Sequence, residues 1–165
     1  MERHPALQDL ARDHFDGLTL AQHVRRSLEG HEMGSTPREA AERFLAAWEE
    51  HLAEHFLEEE AVLLPIQGRH VDLAEDEAVG RIIRDHAWFR DTVPELARRL
   101  ETQEPFEDLL GELGARLHDH ARFEDRTWFV TLEEMLTEAD LEDVAARSLA
   151  YRRAHRDEAA IGPRS

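Results

Sequence analysis

Apolar residues recur at spacings of three and four along most of the chain, and nowhere do they alternate with polar ones over a strand's length. Leu7, Leu10, His14, Gly17, Ala21, Val24 and Leu28 make the first such seam. Ala41, Leu45, Trp48, Leu52, His55, Glu59, Val62 and Ile66 make the second, and Val79, Ile82, His86, Phe89, Val93, Leu96 and Leu100 the third. The fourth runs Phe106, Leu110, Leu113, Leu117, His120, Glu124, then Trp128 or Thr127, and Thr131. Residues at this spacing share one face of a helix. Four long amphipathic helices joined by short loops predict an all-α, up-down-up-down four-helix bundle. A short fifth helix is expected from Thr137 to His155, seated on Leu141, Val144, Ala145 and Leu149 and packed across one end or used in assembly. Residues 1–155 then form one domain, and 156–165 a flexible tail.

The ends of these helices have local causes. Pro5 suits a first turn, and the first helix ends near Gly30. Ser35 or Thr36 can cap the second, with Pro37 at its first position and Glu39 at capping-box spacing from Thr36. That helix should reach about Pro65. The third spans roughly Glu75 to Glu101, with a kink at Pro94 or a break near Val93. The fourth starts around Pro105.

Each seam is interrupted by a polar residue. His14 and His86 stand alone, whereas His55 is followed one turn later by Glu59, and His120 by Glu124. A carboxylate on an apolar seam is costly to bury unless something pairs with it. A seam broad enough to leave Glu59 at a wet edge, or an ion pair, would meet that cost, and so would a metal ion shared by the imidazole and the carboxylate. The pattern recurs, however. A second acid follows each Glu (Glu60, Asp125), bulky apolar pairs follow at matching offsets, and Asp85-His86 echoes Asp13-His14.

A rise of about 1.5 Å per residue allows the depths to be compared. His14 lies about 15 residues before the end of its helix, and His55 about 18 after the start of the next. The same comparison brings His86 and His120 to that level within about a turn. Four imidazoles and two carboxylates then share one layer of an apolar core. Six unpaired polar groups there would be strongly destabilising, and as ligands of two first-row metal ions they make chemical sense.

Composition narrows the partners. The chain has 165 residues, enough for one full core, with 37 acidic residues against 20 basic ones and a formal charge of −17. Such a surface repels nucleic acids and anionic membranes. Without cysteine, iron–sulfur clusters and thiolate zinc sites are excluded, so a metal must take nitrogen and oxygen ligands. No apolar run approaches a membrane span, and the N-terminal residues do not read as a signal peptide, so a cytoplasmic location is expected.

The ferritin-like di-iron pattern, Glu-x-x-His, is absent. The order His, His-x-x-x-Glu, His, His-x-x-x-Glu resembles instead the hemerythrin-like family, the HHE cation-binding domains. The resemblance runs from R-H-P-A-L-Q-D-L-A-R-D-H through H-F-L-E-E-E-A-V-L-L-P and R-D-H-A-W-F-R to H-A-R-F-E-D-R-T-W-F. It implies a non-haem di-iron centre with two iron ions. His14 and His55 would bind one iron, His86 and His120 the other, and Glu59 and Glu124 would bridge them with an oxo or hydroxo group. The apolar surroundings (Phe15, Trp48, Leu52, Trp88, Leu117, Trp128) would slow water entry. Two departures from the oxygen carriers stand out. Arg90 occupies the place of their second third-helix His, and Glu124 follows its His at four residues, where they have an Asp at five. Six ligands are thus matched, and Glu58, Glu60 or His51 could complete the set, with His51 read as a supporting group. His70, His23, His31 and His155 are expected at the surface.

The expected function is binding or sensing of O2, nitric oxide or peroxide, by a monomer or homodimer and without catalysis. The alternatives are a di-iron enzyme turning over peroxide or nitric oxide, at least weakly, and an iron-responsive interaction module.

Overall fold

A computed structural model describes residues 2–30 and 34–161, with side chains to His155, so His31 lies outside the described residues. Five helices and no strand occur among them. After a turn at Pro5–Leu7, α1 runs Gln8–Leu28. Helix α2 is continuous over 37–67, α3 spans Glu77–Thr102, α4 is continuous over 107–135, and α5 spans Glu138–Ile161. Thr36 caps α2 by accepting from the Glu39 amide at 3.2 Å, with Pro37 next. Asp76 caps α3 through the Val79 amide at 3.0 Å. Gln103, at φ 57, closes α3 in the left-handed conformation.

Helix α3 passes through Pro94 unbroken. Pro94 lies on the exposed face, where water can meet the carbonyl one turn back that lacks its donor. The fifth helix is longer than the sequence suggests, so it takes in part of the expected tail; residues 162–165 lie outside the described ones. Its buried line also differs. Leu141, Val144 and Ser148 are buried, followed by half-buried Tyr151 and Arg152, whereas Ala145 and Leu149 face outward. The inward face thus turns polar along its length because it meets carboxylates there.

Helices α2 and α4 are not regular. Helix α2 widens into π turns at Trp48–Leu52 and Glu59–Leu63, and α4 does so at Glu124–Trp128. A π turn inserts a residue and rotates the remainder of the helix about its axis. The seam beyond Glu124 therefore continues through buried Trp128, Phe129 and Leu132, while Thr127 is exposed.

The buried apolar residues form two clusters. One gathers Leu7, Leu10, Val62, Ile66, Ile82 and Trp128, and the other Leu20, Leu52, Phe56, Phe89, Leu113 and Leu117. Each of α1 to α4 contributes to both, and each crosses from one to the other at its polar seam residues. Burying one such Leu or Phe contributes about 1.5–3 kcal/mol.

Helices α1 and α4 approach closely over glycines, with Gly17 against Leu117 and Gly111 against Leu28. A Cβ on Gly114 would stand 2.9 Å from Val24 Cγ1. Gly114→Ala should destabilise by about 1–3 kcal/mol through overpacking, lowering Tm by about 2–4 °C per kcal/mol. Calorimetry checks this, and an unchanged Tm would show that the helices can part without cost.

Candidate metal centre

The polar seam residues meet between the two apolar clusters. His14, His55, Glu59, His86, His120 and Glu124 are all buried, Glu59 and Glu124 completely. Glu59 Oε1 lies 3.1 Å from His55 Nε2 and 3.4 Å from His14 Nε2, and its Oε2 lies 3.3 Å from His86 Nε2. Glu124 Oε1 lies 3.1 Å from His120 Nε2 and 3.7 Å from His86 Nε2, and its Oε2 lies 3.0 Å from His14 Nε2. The donor atoms fall into two sets, His14, His55, Glu59, Glu124 and Glu59, His86, His120, Glu124, each with its atoms within 4.8 Å of one another. Both carboxylates belong to both sets.

Such sets fit cations. Nitrogen and oxygen ligands about 2.1 Å from an ion stand about 3 Å apart when adjacent, close to these separations. All four carboxylate oxygens, with the Nε2 atoms of His86 and His120, are buried without a well-aligned hydrogen-bond partner. Buried polar atoms are rarely left so. Here six converge on one place.

The outer side of every ring is held. His14 donates Nδ1–H to Asp125 at 2.8 Å, and His55 to Asp13 at 3.0 Å. His86 donates to Glu60 at 2.8 Å, and His120 to Asp85 at 3.1 Å. A carboxylate can only accept, so each ring places its proton outward and turns Nε2 to the centre. A carboxylate on the outer ring nitrogen fixes tautomer and orientation in this way. Asp13 and Asp85 come from the residue before a seam His and serve the His of the following helix. Glu60 and Asp125 come from the residue after a seam Glu, at the start of a π turn, and tie the two halves of the chain together.

These contacts set the charges. Burial alone would disfavour the imidazolium, but the surrounding carboxylates override it. His55 is raised to about 9 by Glu59 and Asp13, and His86 to about 11 by Glu124, Glu59 and Glu60. His14 and His120 are raised as well. Burial, and for Glu59 the neighbouring Glu124, pushes the central carboxylates up, yet the imidazoles hold both below the usual range. Protons thus balance the layer when nothing else does.

The other expected positions sort clearly. His51 is exposed and has no part in the layer, since the first π turn carries it off the seam. Glu58 is buried but pairs with Arg152, and Glu60 is engaged by His86 and by Arg90 Nη1 at 2.9 Å. Phe15 is 68% exposed and does not wall the site. Phe56, stacked on His86 at 4.1 Å, and Phe129, 4.9 Å from His14, do so. Leu52, Leu117 and Trp128 are buried, while Trp48 and Trp88 are partly covered. His70 is exposed and meets Asp140 at 2.7 Å, His23 is partly covered and bonds Ser35, and His155 is partly covered beside Glu54.

Among the described residues no helix is long and apolar enough to cross a membrane. Comparison with curated proteins finds no match, and neither does comparison with solved structures. Comparison with protein families does: the profile of the hemerythrin HHE cation-binding domain matches residues 5–132.

Proposed function

Since the chain belongs to the hemerythrin HHE cation-binding family, we propose that the layer holds two iron ions and binds or senses O2 or a related small molecule. The observation that carries this is the pair of overlapping four-residue donor sets, in which both carboxylates and the Nε2 atoms of His86 and His120 have no well-aligned partner of their own. His14 and His55 would hold one ion, and His86 and His120 the other. Glu59 and Glu124, common to both sets, would join them. When bound, iron would supply reversible redox chemistry toward O2, nitric oxide or peroxide.

The chain's own part is to position and to exclude. Four carboxylates fix the rings, and Phe56 and Phe129 cover two of them. Arg90, whose guanidinium only donates hydrogen bonds, cannot act as a ligand; it braces Glu60 against His86. Six protein ligands shared by two ions would leave room for a small exogenous molecule. In the same reading the four ligand-bearing helices alternate up and down, the protein acts by binding without turnover, and its setting is cytoplasmic.

Metal analysis of protein produced with iron, joined to visible spectra after reduction and after air, tests this. About two irons per chain are expected, with a charge-transfer band that is lost on reduction and returns with O2. Protein that takes up no iron at neutral pH would end the proposal. Sustained consumption of peroxide or nitric oxide would favour an enzyme.

A further inference from the structure

The polar half of α5 lies against the carboxylates around His55. Arg152 donates Nη2–H to Asp13 Oδ2 at 2.7 Å, and that same oxygen accepts Nδ1–H from His55 at 3.0 Å. Its Nε lies 2.9 Å from Glu58, which is 3% exposed. One turn before Glu58, the same helix face of α2 offers Glu54 to Tyr151, at 3.0 Å, and to His155, at 3.1 Å. The arginines paired with the other three outer residues come from elsewhere in the chain. Arg90 and Arg81, both on α3, serve Glu60 and Asp85 at 2.9 and 3.6 Å, and Arg3 binds the Asp125 carbonyl at 2.6 Å.

We infer that Arg152 is a positioning residue for His55, and that the C-terminal half of α5 is a latch on the His14–His55 half of the layer. Without the guanidinium, Asp13 and buried Glu58 would lose the cation that hydrogen-bonds to both. Asp13 would then turn toward water, and His55 would lose the acceptor that aims its Nε2 inward. The link works in both directions, because a group that holds His55 only when α5 is docked also favours docking when His55 is held. The first half of α5, seated through Leu141 and Val144 in an apolar cluster, stays in place throughout. The inference rests on the layer being a metal site for its iron readout, but not for its readout at His55.

Two variants test it: Arg152→Gln, and Arg152→Met, which keeps the apolar stem and so separates lost charge from lost packing. Arg147→Gln, on the exposed face of the same helix, is the control for net charge. In the metal-free full chain, the hydrogen-bonded Nδ1–H resonance of His55 should vanish in both Arg152 variants, while those of His86 and His120 persist. In iron-loaded protein, a chelator should remove one equivalent about 10-fold faster than from the wild type and leave the other unchanged. Arg147→Gln should match the wild type in both measurements. The inference is overturned if the Arg152 variants keep the His55 resonance. It is also overturned if both irons leave faster together with a loss of helix content. Wild-type protein that binds no iron removes the metal proposal alone, and the His55 resonance still decides the role of Arg152.

Discussion

His55→Ala and His120→Ala should each cut the iron bound per chain by about half, because each removes a ligand from a different donor set. His55 closes the set with His14, and His120 the set with His86. Loss of either ring also frees its outer carboxylate, Asp13 or Asp85, to turn to solvent. His70→Ala and His155→Ala should leave the content unchanged, since their partners are Asp140 and Glu54, outside the layer. Metal analysis of the four variants decides. Seam variants that hold as much iron as the wild type would reduce the layer to a network of ion pairs.

Iron should raise Tm by about 10 °C near neutral pH, and the gap should widen toward pH 9. Saturating metal at about 1,000 times its Kd contributes about 4 kcal/mol, and each kcal/mol shifts a domain of this size by about 2–4 °C. The pH dependence arises from the protons that the metal displaces. In the metal-free protein His55 titrates at about 9 and His86 at about 11, against 6.5 for a free ring. Their contribution is complete below pH 6.5 and fades as pH rises through those values. Glu59 and Glu124 are lowered from 4.5, so theirs is complete above pH 4.5 and fades in acid. The metal-free protein should therefore melt highest between about pH 4.5 and 6.5. Metal needs neutral rings, so its stabilisation grows as the protons leave. Melting curves with and without iron at pH 6 and pH 8.5 provide the check, and coincident curves at pH 8.5 would contradict a buried metal layer.

Helix count and the inward residues were legible because a seam of period 3.6 is long, and one His among seven seam positions is conspicuous. The outer carboxylates were harder to assign. Asp13, Glu60, Asp85 and Asp125 were visible as repeats beside the seam, but their partners lie on other helices, and sequence spacing says nothing about which helix is adjacent. The recurring Asp-His and Glu-acid pairs were the signal that could have exposed them. The π turns explain most of the other differences. Spacing counted at 3.6 put His51 beside His55 and left Thr127 level with Trp128, whereas one inserted residue moves the first outward and settles the second. The fifth helix misled for another reason: its inward face is polar, so apolar spacing pointed to the exposed Ala145 and Leu149.

The division of the core at the layer bears on how the molecule holds together as a single cooperative unit. An undivided core passes a loosened contact from neighbour to neighbour until the whole gives way. Here two oily compartments touch across charged groups, and what spans the join is four backbones and whatever neutralises the middle. Protons do this diffusely, one ring at a time. A pair of ions would do it at once, drawing residues from all four helices to the same two points. The metal would then act as the rivet between two half-cores that otherwise need not open or close together.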